Sequence, residues 1–294
     1  MSESLSDVPR DGHTFVVSTR LGDVSVHMSG RPLGRVPALL LLHANPGDSR
    51  DFAAVAPSLG RHFTVAAVDW PGYGHSTVTD PKQVCATGLA DVAADVADAL
   101  AARGADRIAV IGNSVGGYAA LSLALRGHEA LSALVLVDPA GFTPDNVMTR
   151  AFCRRVMGSP AVARHLVAPL ARAYLSRLRT ASARDTYARA RRLRHEPRRL
   201  AVHCALWRSF ADPSFSLSLD MSAGLAVPAL LVWGVRDPVV PAFVDGRRAR
   251  KALPDARFVS LRTGHEPFSE RPDDFLRAVE PFLLAHTDAH TSSP

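Results

Sequence analysis

Three residues of this chain stand where they could act together on an acyl group. Ser114 sits in Gly112-Asn113-Ser114-Val115-Gly116, directly after the apolar run Ile108 to Ile111. Glycines two residues to either side leave room for a sharp turn between a strand and a helix, which lifts a hydroxyl clear of the backbone. Asp237 follows the run Ala229 to Trp233, within Gly234-Val-Arg-Asp237-Pro238, and His265 follows Phe258 to Leu261, within Arg262-Thr-Gly264-His265. A serine hydroxyl is a weak nucleophile until a base takes its proton. A histidine can be that base, and a carboxylate beside it fixes the tautomer and stabilises the imidazolium. Nothing in this chemistry requires a metal or an organic cofactor. The sequence carries no His-Glu-x-x-His, no Gly-x-Gly-x-x-Gly at a first strand end and no phosphate-binding Walker loop. Two alternatives stay open on the residues alone. Ser114 could merely cap the following helix, and Asp138, at the end of the run Ala133 to Val137, is a second candidate for the acid.

The elements that must position these groups alternate along the chain. His13 to Arg20 and Asp23 to Met28 alternate apolar and polar residues around Leu21-Gly22, which predicts an antiparallel hairpin at a sheet edge. Pro37 to Leu42 and Phe63 to Val68 are continuous apolar runs, the pattern of strands buried on both faces of a parallel sheet. Between them Asp51 to Leu59 reads as a short helix, and Asp91 to Arg103 repeats Ala, Val and Leu at helical spacing. From Gly141 to Gly224 strands disappear. Helical stretches follow at Asn146 to Met157, Ala161 to Leu178, Ser182 to Arg194 and Arg198 to Phe210, before the sheet pattern resumes. Pro272 to Ala285 reads as a closing helix. These boundaries predict an α/β fold with a core of residues 13–140 and 225–286, a helical insertion over 141–224, and disordered termini at 1–12 and 287–294.

Serine, aspartate and histidine in that order, each after a strand, make the chain resemble the capped serine hydrolases of the α/β-hydrolase superfamily, from about residue 13 to 286. His43-Ala44-Asn45-Pro46 resembles the family's His-Gly-x-Pro segment, with Ala44 in place of the usual glycine, and Asp69-Trp-Pro-Gly-Tyr-Gly-His-Ser76 resembles its Asp-x-x-Gly-x-Gly-x-Ser turn. The resemblance implies a mostly parallel central sheet flanked by helices, Ser114 as nucleophile, His265 as base and Asp237 as acid. It also implies an oxyanion hole formed by the backbone N–H groups of Asn45 and Val115, with residues 141–224 as the cap that shapes the pocket. His43 is read as a structural histidine. Serine at the turn argues against haloalkane dehalogenases and epoxide hydrolases, which use aspartate there. The implied activity is hydrolysis of a small to medium acyl compound, most simply a carboxylic ester. The alternatives are a C–C bond hydrolase or thioesterase, and a non-hydrolytic binding protein or cyclase on the same scaffold. C–C hydrolases usually carry tryptophan after the histidine, where this chain has Glu266.

Charge is unevenly spread. Residues 141–224 hold 15 arginines against 5 acidic residues, about +10, while the rest of the chain is about −4, within a total of +6. Few aromatics accompany these arginines and no nucleic-acid-binding motif does, so no nucleic-acid partner is expected. With only Lys82 and Lys251 beside 32 arginines, the bias looks compositional. We expect solvated arginines on the helical insertion, no paired acid for them within it, and a preference for neutral apolar esters. Met1 to Asp11 lacks the basic start and apolar stretch of a secretory signal, and no apolar run reaches membrane-spanning length. Cys85, Cys153 and Cys204 show neither a pairing nor a metal-ligand spacing. Together these point to a cytoplasmic protein without a membrane partner.

Overall fold

The computed structural model describes residues 12–215, 217 and 225–287. Its strands are β1 (His13–Thr19), β2 (Gly22–Gly30), β3 (Ala38–Leu42), β4 (Thr64–Val68), β5 (Ile108–Asn113), β6 (Leu131–Val137), β7 (Ala229–Gly234) and β8 (Arg257–Leu261). They form one sheet in the order β1-β2-β4-β3-β5-β6-β7-β8. The first two strands are the expected hairpin, and β2 also pairs antiparallel with β4. All later pairings are parallel.

Continuous aliphatic runs form these strands because both faces are covered, and the two-residue period of a strand divides each run between two cores. Leu40, Leu42, Val110, Leu134, Leu136 and Leu231 face one core. There they meet α2 (Ala86–Ala101), α3 (Val115–Leu125) and α8 (Arg247–Ala252). Their neighbours Leu39, Leu41, Ile111, Val135, Leu230 and Val232 face the other. That side is closed by Phe52, by Leu59 of α1 (Ala56–Leu59), by Phe268 of α9 (Pro267–Glu270), and by Phe275, Val279 and Phe282 of α10 (Pro272–Thr287). In α2, Leu89, Val92, Ala93, Val96 and Leu100 are buried at helical spacing.

The helical stretch after β6 comprises α4 (Val147–Ala151), α5 (Pro160–Tyr174), α6 (Ala181–Arg192) and α7 (Pro197–Ser209). It has its own apolar cluster, including Met157, Val167, Tyr174, Leu193, Leu200 and Cys204. Several local expectations shift. The expected helix over 51–59 is a 3₁₀ turn at Ser49–Phe52 followed by α1. The expected helix over 146–157 is α4 continued by a π-helical turn at Phe152–Met157, and α5 ends at Tyr174, where Leu175 leaves helical geometry. The closing helix runs on to Thr287, which is buried and accepts a hydrogen bond from Arg107 Nη1 at 3.1 Å. The remaining expectation of disordered ends, at 1–11 and 288–294, lies outside the described residues, as do residues 216 and 218–224 of the insertion.

Six parallel strands share one direction, so the loops after β3, β5, β6, β7 and β8 emerge along one edge of the sheet. Those loops carry Asn45, Ser114, Asp138, Asp237 and His265.

Candidate active site

Ser114 occupies the turn between β5 and α3 with φ 56° and ψ −118°, a strained conformation for a residue with a side chain. The backbone fixes it there: Ser114 N–H donates to Val137 O at 3.0 Å, and Ser114 O accepts from Ala140 N–H at 2.9 Å and Tyr118 N–H at 3.0 Å. The flanking glycines answer a close approach. A Cβ on Gly112 would lie 2.3 Å from Gly116 O, and one on Gly116 would lie 2.2 Å from Leu42 O. The Ser114 hydroxyl makes no capping bond to α3, which sets aside the reading of this serine as a helix cap.

His265 is buried, and its ring Nδ1–H donates to Asp237 Oδ2 at 2.5 Å. The other oxygen, Oδ1, accepts Val239 N–H at 2.7 Å and Val240 N–H at 3.2 Å, which orients the carboxylate. Asp138 lies in the same cluster, within 4.8 Å of the ligating atoms of Asp237 and His265. It takes a different part. Its Oδ1 accepts Gly234 N–H at 2.8 Å, its Oδ2 has no partner among the described residues, and burial, reinforced by the negative charge of Asp237, raises its carboxyl well above the usual carboxylate range. Asn113, which the sequence reading did not single out, ties the two loops together: its Nδ2 donates to Val137 O and to His265 O, both at 3.0 Å.

Asn45 lines the same cavity as Ser114, Val115 follows Ser114 as the first residue of α3, and among the described residues no acceptor meets either backbone N–H. The Asn45 side chain turns towards α7. Its Oδ1 accepts Tyr73 O–H at 2.6 Å and His203 Nδ1–H at 3.0 Å, and its Nδ2 donates to His203 O at 3.4 Å. His43 is fully buried, with Nδ1–H donating to Ala44 O at 2.7 Å and Nε2 accepting Trp70 N–H at 3.0 Å, and burial lowers its pKa. A neutral ring with both nitrogens engaged holds the loop and has no proton to exchange with a ligand.

Above these groups lies a cavity of about 380 Å³. Asn45, Ser114 and His265 contribute to it from the sheet loops; Phe152, Met157, Leu170, Trp207 and Phe210 do so from the helical stretch. Among the described residues no lysine or arginine lines it, whereas Asp145 and Asp212 do. The arginine excess goes elsewhere. Arg189 of α6 is nearly buried and pairs with Asp48, Asp51 and Asp185, so the expectation that no paired acid lies within the insertion is corrected by Asp185, and full solvation fails for this residue. Burial raises Asp51 to about 7 despite that guanidinium. Arg198 donates to Val78 O, and Arg199 to Gly74 O at 2.9 Å, so both strap α7 onto core loops. The His265 loop is fastened as well. His265 N–H donates to Tyr174 O at 2.9 Å, while Glu270 accepts Gly264 N–H through Oε1 and Ser176 O–H and Arg177 N–H through Oε2. Glu266 is fully buried with neither carboxyl oxygen partnered among the described residues, and burial, reinforced by Asp51, raises its carboxyl well above the usual carboxylate range.

Comparison with known proteins gives this geometry its context. Residues 37–272 match the family model described as alpha/beta hydrolase fold. A pimeloyl-[acyl-carrier protein] methyl ester esterase of Chromobacterium violaceum is 30% identical over 261 residues, covering 85% of this chain and 96% of that protein. Among solved structures, a thermophilic esterase from Thermogutta terrifontis superposes with a TM-score of 0.72 at 23% identity, covering 95% of this chain and all of its own. The enol-lactonase from Burkholderia xenovorans LB400 superposes with a TM-score of 0.74 at 21% identity over 92% of this chain and 100% of that one. No helix among the described residues is long and apolar enough to cross a membrane. A family match over most of the chain, on a sheet whose carboxyl edge carries Ser114, Asp237 and His265 in that chain order, makes the chain a member of the alpha/beta hydrolase fold family.

Proposed function

We propose that the protein is a serine hydrolase of neutral, largely apolar carboxylic esters, working through an acyl-enzyme on Ser114. One observation carries the reading: Ser114, with a hydroxyl free of its helix, shares a cavity with a histidine whose far nitrogen is bound to Asp237. In the first half-reaction His265 Nε2 takes the hydroxyl proton as Ser114 Oγ bonds to the ester carbonyl carbon. The resulting oxyanion is met by the N–H groups of Asn45 and Val115, where losing one donor costs about 3 to 4 kcal/mol. Collapse breaks the bond to the leaving alkoxide, which receives the proton from His265. Water then bonds to the acyl carbon as His265 takes one of its protons, and His265 passes that proton to Ser114 Oγ as the acyl bond breaks, the other proton leaving with the acid product. Asp237 orients the His265 ring and stabilises the imidazolium.

Residues 141–224 act in this reading as a cap, and 13–140 with 225–286 as the catalytic core. Apolar walls and the carboxylates Asp145 and Asp212, with no lining lysine or arginine among the described residues, favour a neutral substrate over an anionic one. Esterases among the similar proteins support an ester as the bond cleaved. Free Cys85, Cys153 and Cys204 support a reducing, cytoplasmic setting.

The test is labelling of the native protein with a fluorophosphonate, read by peptide mass, together with turnover of p-nitrophenyl acetate, butyrate and octanoate, a carboxylated phenyl ester, an acyl-thioester and a vinylogous diketone. Labelling at Ser114 and turnover of the neutral esters, with little effect of salt, is expected. Absence of both labelling and turnover would overturn the reading in favour of a binding protein or cyclase. Preference for the thioester or the diketone would move the bond cleaved.

A further inference from the structure

We infer that His203, on α7, is a positioning residue for the oxyanion hole, so that the helical segment completes a site whose reacting groups all belong to the sheet loops. The inference rests on the proposed role of Asn45 as an oxyanion donor.

Asn45 must present a backbone N–H, and its side chain is the handle by which that peptide can be held. The handle is gripped at both ends. Its Nδ2 faces the His203 carbonyl and can only donate there; its Oδ1 can only accept, and it takes the Tyr73 hydroxyl at 2.6 Å and His203 Nδ1 at 3.0 Å. An amide oxygen cannot supply a proton, so Nδ1 of His203 carries one and the opposite nitrogen, Nε2, is bare. Among the described residues Nε2 has no partner and is shielded from solvent, and burial pushes the ring pKa down to about 3. The ring is therefore a fixed neutral tautomer that donates one way only. The pair lies 158 residues apart in the chain, one member on the core loop after β3 and the other on α7. With α7 displaced, Asn45 would lose two of its three side-chain hydrogen bonds, and the peptide that carries the donor N–H would be free to turn. A displacement of about 1 Å at such a donor is enough to cost up to roughly 100-fold in rate. Tyr73, from the core loop, supplies the third bond and keeps the asparagine partly in place.

The experiment compares His203→Ala, His203→Asn and Tyr73→Phe with the wild type on p-nitrophenyl butyrate. An asparagine at 203 can set its Nδ2 where the histidine has Nδ1, and so restores the donor without the ring. His203→Ala should lose about 10- to 100-fold in kcat with KM changed by less than about threefold, because the donor acts on the transition state. His203→Asn should recover most of that loss, and Tyr73→Phe should lose about three- to tenfold. Unchanged kcat in His203→Ala, or equal losses in His203→Ala and His203→Asn, would overturn the inference, since only packing of the ring would then matter. Should His203→Ala fail to fold, His203→Phe, which keeps a ring without a donor, takes its place in the same comparison: a loss that His203→Asn recovers supports the inference, and unchanged kcat overturns it. Fluorophosphonate labelling of the wild type keeps the two proposals apart. An unlabelled, inactive wild type overturns the serine-hydrolase reading and this inference with it, whereas a labelled wild type with undiminished His203→Ala overturns this inference alone.

Discussion

The sheet loops and the helical segment reach the same cavity by different physical means. On the sheet side, position is set by the backbone: strand ends, a strained serine, glycines that admit a carbonyl within 2.3 Å of where a Cβ would be, and a carboxylate fixed by two amide donors. On the helical side, position is set by side chains. Apolar residues form a small separate cluster, and guanidinium groups fasten the segment to core carbonyls and carboxylates. A backbone-built site tolerates little change but can hold the same reacting groups for many substrates. A side-chain-built wall can be rewritten residue by residue, so the proposed function assigns selectivity to it.

The sharpest way to break this contrast is to alter one carboxyl at a time on the sheet side. Asp237→Asn should cut kcat by on the order of 10⁴-fold with folding intact, since the amide would favour the wrong histidine tautomer. Asp138→Asn should stay within about threefold of wild type, because an uncharged amide can replace a protonated carboxyl and still accept from Gly234 N–H. Equal losses in the two variants, measured by ester turnover with circular dichroism as the folding control, would merge the two acids into one functional unit.

On the helical side the expected effect is smaller and of another kind. Trp207 lines the cavity and packs edge-on against Phe152 and Phe210. Trp207→Ala should lower the ratio of kcat/KM for octanoate over acetate esters by about tenfold, leaving the acetate value nearly unchanged. A uniform loss across chain lengths would mean that this wall serves the chemistry as much as the choice of substrate.

The smallest effect belongs to the sheet side, away from the cavity. His27 Nε2–H donates to buried Asp69 at 2.8 Å; that hydrogen bond raises His27 above 6.5, and it helps to depress Asp69 below 3.8 against the upward push of burial. His27 contributes fully below pH 6.5, and the contribution fades as pH rises through its raised folded value. Asp69 contributes above pH 3.8 and loses that contribution as pH falls through its depressed one. His27→Gln should therefore lower Tm by about 2 °C between pH 4 and 6.5 and by less at pH 9, with ester selectivity untouched. A Tm difference that grows with pH would reverse the assignment.

How much of this could be read from residues alone follows the same division. Strands covered on both faces must be aliphatic throughout, so the runs before Ser114, Asp237 and His265 announce themselves, and the glycines beside Ser114 mark its turn. Partners that come together across the chain leave no local pattern. The Arg189–Asp51 pair spans 138 residues and the His203–Asn45 pair 158. Asn113, Glu266 and Glu270 look like ordinary polar loop or helix residues until the fold buries them. The short helix α8 is hidden for another reason: Arg247-Arg-Ala-Arg-Lys-Ala252 buries only its two alanines, too narrow a stripe to stand out from a charged loop.

The fastening of Tyr174, Ser176 and Arg177 to the His265 loop bears on how such enzymes could be recombined. Joining a foreign insertion at the two crossover points near residues 141 and 224 would preserve chain continuity and still produce a poor chimera. The graft would also have to bring a carbonyl for His265 N–H, a hydroxyl and an amide for Glu270, and a side-chain donor for Asn45. Libraries that shuffle this segment should therefore hold those contact positions fixed and vary only the residues facing the cavity, which lets selectivity be redrawn without loosening the base.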